Sequence, residues 1–253
     1  MPSVSVSTEA GSDTARLPVL DIARTLAIIA MVIFHFARDL EMFRLAPPGM
    51  TLEGGWVLFS RLIAGSFLFL SGVSLVLAHG EGIRWPAFRR RALMIGGAAL
   101  LVSLATLIAV PRDFIYFGIL HGILTASLLG IWLVPRPAIY AAAAALLVVL
   151  LWATVGKSLA LPEIFSFTGL LAAPRPTLDF IPLLPWLAPA FAGIAAAKWL
   201  RIADWPRAEP GRMARLIAWP GQHSLAIYLL HQPVLVALLW AITRFLQPTC
   251  FPC

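Results

Sequence analysis

Three groups of polar residues stand inside long apolar stretches, where an ionisable side chain is expensive and by default functional. The first holds Asp21, Arg24 and His35, followed by Arg38 and Asp39. On a helix, Arg24 and His35 share one face and lie about 16 Å apart along the axis. A guanidinium there can grip a phosphate through charge-assisted bonds. A neutral imidazole can act as general base on a hydroxyl or an amine. The second group is Ser224, Tyr228, His231 and Gln232, whose first three members fall on one helical face. Pro233 follows and removes a backbone donor. The third is His121, within Gly118-Ile119-Leu120-His121-Gly122, where the two glycines permit close helix approach.

Each group also has a plain structural reading. Asp21 and Arg24, at i and i+3, can pair with each other, and Arg24 can snorkel to lipid headgroups. Each histidine can serve as a helix–helix hydrogen bond, and it is the three together that call for more. No HxxxH or His-x-x-Glu spacing accompanies them, so no metal site is expected.

The elements that carry these residues are membrane-spanning helices. Of 253 residues, 60% are hydrophobic and only 12% charged, with a mean hydropathy of +0.88. Soluble domains carry about a quarter charged residues, so lipid must solvate much of this surface. Stretches of roughly 20 apolar residues, the length of one crossing, recur at 17–36, 56–78, 92–110, 115–134, 138–155, 183–199 and 224–245. Pro and Gly punctuate their ends. The expected fold is all-α: a polytopic membrane helix bundle of about seven transmembrane helices, with a cytoplasmic N-terminus. Residues 1–16 read as a disordered cytoplasmic tail without signal-peptide character, 17–246 as one transmembrane domain, and 247–253 as a short outer tail. The stretch 156–182 reads as a loop, a surface helix or a re-entrant piece. Ser71-Gly72, interrupting Phe67-Leu68-Phe69-Leu70, reads as a small-residue packing contact.

Orientation follows from the cations. The net charge of +7 comes mainly from arginine. Arg84 and Arg89–Arg91, Arg136, and Arg201, Arg207, Arg212 and Arg215 all fall in connections on one side of a seven-span chain, with Arg16. The positive-inside rule makes that side cytoplasmic. The basic connections suit anionic headgroups, and no nucleic-acid motif accompanies them, so the partner is a lipid bilayer and not nucleic acid. On this topology Cys250 and Cys253 face an oxidising space, where a disulfide can form.

The sequence of the first span, Leu20-Asp21-Ile22-Ala23-Arg24-Thr25-Leu26-Ala27 and on to His35, resembles the opening helix of multi-pass membrane acyltransferases. Phe67–Ser74 (FLFLSGVS), Phe117–His121 (FGILH) and Gly221–Pro233 (GQHSLAIYLLHQP) extend the likeness. Together they look most like the bacterial proteins grouped with the catalytic domain of heparan-alpha-glucosaminide N-acetyltransferase. A wider kinship is suggested with membrane O-acyltransferases of surface polysaccharides, which carry the same Arg-to-His spacing in the first span. Thr25 stands where that group commonly has Gly. The resemblance implies a transmembrane acyltransferase-like domain over 17–246 in a bacterial inner membrane. It would move an acyl group, most simply acetyl, from cytoplasmic acetyl-CoA to a sugar, amine or hydroxyl acceptor on the outer side.

In that scheme Arg24, with Arg89, Arg90 and Arg91, holds the CoA phosphates. His35 is the general base, Asp39 orients it, and His121 and His231 support it or polarise the thioester carbonyl. Arg38, Tyr228 and Gln232 bind the acceptor. Small-residue faces can support a homodimer. The alternatives are a small-molecule or proton-coupled transporter, and a non-catalytic membrane scaffold. The enzyme reading predicts a cavity from the cytoplasmic face toward His35 with Arg24 near its mouth; the scaffold predicts a closed bundle.

Overall fold

A computed structural model describes residues 17–206 and 211–246. Those residues form eight α-helices: α1 (Pro18–Met42), α2 (Gly54–His79), α3 (Trp85–Ala109), α4 (Ile119–Gly130), α5 (Ala138–Val155), α6 (Leu183–Trp199), α7 (Arg212–Gln222) and α8 (Ser224–Leu246). Four short 3₁₀ turns punctuate them, and two isolated bridges are the only β-type pairing among the described residues. Arg16, Arg207, Cys250 and Cys253 lie outside the described residues.

Five helices are long and apolar enough to cross a membrane: α1, α2, α3, α5 and the 224–245 part of α8. Large apolar side chains such as Leu93, Ile108, Leu146 and Leu230 point out of the bundle, where only lipid can solvate them favourably. At the centre α2 lies against α6 through small residues. A Cβ on Gly72 would fall 2.0 Å from the Ala190 carbonyl oxygen, and one on Gly193 would fall 2.1 Å from that of Phe69. Only glycine admits so close an approach of two backbones. Leu68, Leu75 and Ile194 fill this seam and are fully buried.

The helices differ from the sequence expectation at four places. First, α1 runs on to Met42, so Arg38 and Asp39 sit on the helix and not in a loop. Second, α3 begins at Trp85 with Pro86 in its first turn, a position where the missing N–H costs nothing. Arg89, Arg90 and Arg91 are therefore helical. Third, α4 starts at Ile119, not Ile115. Residues 114–118 run back along α3 without helical hydrogen bonds. The Ile115 amide donates to Thr106 Oγ1 (3.0 Å), and Ser103 Oγ donates to the Ile115 carbonyl (2.6 Å). Leu120 shares a buried cluster with Ile95, Ala98 and Ala99, so α4 begins level with the middle of α3. Fourth, α7 is a helix within what reads as a connection. Thr25 explains its seat: the hydroxyl donates to the Ile217 carbonyl (2.8 Å) and accepts from the Gly221 amide (2.9 Å). Gly221 packs on the Asp21 backbone so tightly that a Cβ would fall 1.9 Å from its carbonyl oxygen.

The stretch 156–182 is irregular apart from one 3₁₀ segment, Glu163–Thr168. Its last residues lie alongside 113–117. Leu178 N–H donates to the Asp113 carbonyl (2.9 Å), Ile181 N–H to that of Phe117 (3.1 Å), and Thr177 Oγ1 to that of Phe114 (2.8 Å). Two non-helical segments thus enter the bundle together. Such backbone is tolerated at membrane depth only where protein buries it or it lines a cavity, and here each satisfies part of the other.

Candidate functional site

A cavity of about 1710 Å³ enters the bundle from the end where α2 passes to α3 and α6 ends. Pockets for drug-sized ligands run to roughly 300–1,000 Å³, so this one suits something longer. Exposed Glu81, Arg84 and Arg201 lie at its rim. It follows α4 and the turn after it, from Val134 back to Ile119, and therefore ends near the middle of the bundle, where Tyr228 of α8 also lines it. Arg24, Arg84, Arg91, Lys198 and Arg201 line it against Asp21, Glu81 and Asp204, so cations outnumber carboxylates.

Arg24 is held from two sides. Its Nη1 donates to Asp21 Oδ1 (2.5 Å) and its Nη2 to Ser74 Oγ (2.7 Å). Asp21 is 3% exposed and also accepts from Gln222 Nε2 (3.3 Å). This fixes one guanidinium edge and leaves the group on the cavity wall. Arg91 lines the same cavity, close enough to Arg24 for the two positive charges to repel, and it has no ion pair among the described residues. Two like charges facing one space favour an anion between them. Arg89 and Arg90 are exposed and do not line the cavity.

One turn beyond Tyr228, α8 meets α1. The rings of His231 and His35 lie edge to face with centroids 4.9 Å apart, and the rings of Tyr228 and His231 lie 5.6 Å apart. His231 Nδ1 is 2.6 Å from the Tyr228 carbonyl. A carbonyl only accepts, so Nδ1 carries the proton and Nε2 is the free lone pair. The residue after His231, Gln232, donates from Nε2 to Asp39 Oδ1 (2.6 Å), one turn along α1 from His35, and Asp39 is 2% exposed. His231 Nε2, Asp39 Oδ2 and Gln232 Oε1 are buried without a protein partner. All three are acceptors in these roles, so the seam offers lone pairs to a group that brings N–H or O–H.

The remaining residues singled out from the sequence sit elsewhere. Arg38 turns to the loop between α1 and α2, to Thr51 Oγ1 (3.2 Å) and Glu41 (3.9 Å). Glu41 in turn accepts from the Gly49 and Thr51 amides. His121 is occupied at the start of α4: its Nδ1 accepts from the Gly118 amide (3.3 Å), and its Nε2 lies 3.4 Å from Ser103 Oγ. It lines neither the cavity nor the α1–α8 seam. His35 does not line the cavity either; Tyr228 and His231 stand between.

One residue that sequence reasoning missed lies at the inner end. Asp179 Oδ2 accepts from the Ile119 amide, the first of α4 (2.9 Å). Burial holds its carboxyl up at about 6, against the pull of that amide. A Cβ on Gly118 would fall 2.4 Å from the same oxygen. The only sequence signal is a lone acid between Leu178 and Phe180-Ile181.

No group of three His, Cys, Asp or Glu side chains is placed to hold a metal among the described residues. Compared with known families, residues 16–233 match the family model described as heparan-alpha-glucosaminide N-acetyltransferase, catalytic. No curated protein and no solved structure matches the chain.

Proposed function

The chain belongs to the heparan-alpha-glucosaminide N-acetyltransferase catalytic family, and we propose on that premise that it carries an acetyl group from cytoplasmic acetyl-CoA to an amine or hydroxyl acceptor on the outer side of a bacterial inner membrane. The observation that carries this reading is the course of the cavity. It begins among the charged residues Glu81, Arg84 and Arg201, passes Arg24 and Arg91, and ends at Tyr228, one turn short of His231 and its neighbour His35.

The CoA phosphates are held at Arg91, which has no ion pair among the described residues, and at Arg24 beside it. The pantetheine arm extends along α4, a length of about 18 Å at 1.5 Å per residue, which brings the thioester toward Tyr228. The acceptor arrives from the other side along the α1–α8 seam and gives its N–H or O–H to the free lone pair of His231. As the acceptor atom bonds to the acetyl carbon, the imidazole takes the proton, the carbon–sulfur bond breaks and CoA leaves as the thiolate. His35 packs edge-on against His231 and holds it in place, and the Gln232–Asp39 pair binds the acceptor. His121 keeps the start of α4 in shape, and Arg38 orders the outer loop. Arg89 and Arg90 meet headgroups or the approaching nucleotide at the membrane surface.

Counting α4 and α6 with the five long helices gives seven crossings, with α7 lying outside the count. The N-terminus is then cytoplasmic, and Arg84, Arg136 and Arg201 share that side, in keeping with the positive-inside rule. The scaffold alternative predicts a closed bundle, and the cavity counts against it. A transporter would move substrate without consuming acyl-CoA. The deciding experiment is calorimetric titration of the purified protein with acetyl-CoA. Binding that weakens in Arg24→Ala supports the proposal; absence of binding to the native protein sinks it.

A further inference from the structure

Asp179, half-buried at the inner end of the bundle, has no part in the acyl-transfer scheme. It stands where three elements meet. Its own segment is zipped to 113–117 through the backbone bonds of Leu178 and Ile181. Its carboxylate accepts the first amide of α4. Its charge reaches Tyr228 of α8. Ile119 and Tyr228 both line the inner end of the cavity, and Asp179 lies just behind them. Gly118 permits this seat, since any side chain there would collide with the carboxylate. A helix start is orphaned of hydrogen-bond acceptors by its geometry. A buried one begun in mid-bundle needs a partner from elsewhere in the chain, and the acid is supplied from sixty residues away.

We infer that Asp179 is a positioning residue for acyl transfer: it fastens the first turn of α4 to the inbound 177–181 segment and so fixes the floor of the cavity against which the thioester end of the donor is placed. This rests on the acetyltransferase reading. The role is carried by the ionised carboxylate, which binds an amide more strongly than the neutral acid does. Tyr228 from α8 is the titratable group that feels its charge; nearby, His121 accepts from the Gly118 amide at the same helix start, and Tyr116 packs on Phe180, the residue after Asp179. No cation forms an ion pair with it among the described residues.

The test uses the full chain in lipid nanodiscs, with Asp179→Asn and Asp179→Ala. Asparagine keeps the shape and an acceptor oxygen but not the charge. For Asp179→Asn the inference expects kcat to fall by about 100-fold, the scale of a misplaced reacting group, with the KM for acetyl-CoA changed less than about threefold. The part of the acid limb of the rate that falls near the Asp179 pKa of about 6 should be lost in this variant, leaving the limb set by protonation of the His231 base. Unchanged kcat with an unchanged acid limb overturns the inference and leaves the acetyltransferase reading standing. Hydrogen–deuterium exchange over 114–123 gives a readout that needs no turnover. Faster exchange there in Asp179→Ala, with the other helices unaltered, supports the anchoring. Exchange equal to that of the native protein overturns it. Were the native protein to bind no acetyl-CoA, the functional reading would fall, and the exchange result would still decide whether Asp179 anchors α4.

Discussion

His35 and His231 come from opposite ends of the chain and meet ring edge to ring face, with centroids 4.9 Å apart. The proton on His231 Nδ1 is committed to the Tyr228 carbonyl, 2.6 Å away. The nitrogen left free is therefore the one that can take a proton from a substrate. Of the two rings, His231 is the nearer to the cavity, because Tyr228, which lines the cavity, packs against it.

His231→Ala is expected to lower kcat by about 100-fold or more, the usual loss of a general base, while acetyl-CoA binding survives. His35→Ala should cost less, since it removes the neighbour and not the base. Steady-state rates with calorimetric binding on the same samples separate the two. A larger loss at His35 would reverse the assignment.

Arg24→Ala is expected to weaken acetyl-CoA binding by about tenfold or more, as for loss of a charge-assisted bond. It also leaves Asp21 buried without its ion pair, so the melting temperature should fall. Arg91→Ala lacks that second cost, because Arg91 has no ion pair among the described residues. It should weaken binding and leave the melt nearly unchanged. If Arg91→Ala changes stability and not affinity, the anion site is misplaced.

Thr25→Val keeps the volume and removes the hydroxyl that links the Ile217 carbonyl with the Gly221 amide. Loss of about 1–3 kcal/mol is expected, the cost of stranding buried polar groups. Because α7 abuts Asp21, acetyl-CoA binding should weaken as well. Thermal melts in detergent, with and without acetyl-CoA, test both effects.

Asp179 also gives stability a pH dependence of known sign. Its folded pKa, about 6, lies above the ordinary 3.8, so between these values the folded chain holds more protons than the unfolded one. Stability then falls as pH rises from about 4 to 6 and is flat beyond, as far as this group is concerned. The melting temperature of the native protein should drop over that window, and Asp179→Asn should lessen the drop. A native profile identical to that of the variant would contradict the raised pKa. The carboxylate is proposed to position the donor in its ionised form, which is the form that costs stability.

The helical parts of this arrangement are readable one helix at a time. The stripe from Arg24 to His35 and the stripe from Ser224 to His231 follow from 3.6-residue periodicity, and the small-residue contact at Gly72 from composition. That the two stripes meet is a tertiary fact without a local signal. The start of α4 misleads for a different reason: Ile115, Tyr116 and Phe117 are as apolar as any helix, but Thr106 and Ser103 satisfy the Ile115 backbone from α3. Asp179 lies in a proline-rich stretch without periodicity, and its partner is remote in sequence. α7 is short, with Pro220 and Gly221 near its end, and its helicity rests on docking against α1. Arg89 and Arg90 carry the same charge as Arg91, and only the angular position on α3 separates the residue that lines the cavity from those that do not.

The twelve residues of α4 bear on how the chain enters its membrane. At about 18 Å they fall well short of the hydrocarbon thickness of roughly 30 Å, and the backbone before them has no helical bonds of its own. A segment of that kind is a poor client for an insertion machinery that releases apolar helices to lipid one by one. Ser103 and Thr106 on α3 can shelter part of that backbone as soon as it emerges, whereas the 177–181 segment is made some sixty residues later. We expect α3 and α4 to enter as a hairpin, in which the Ile119 amide gains its carboxylate partner only once Asp179 has been made.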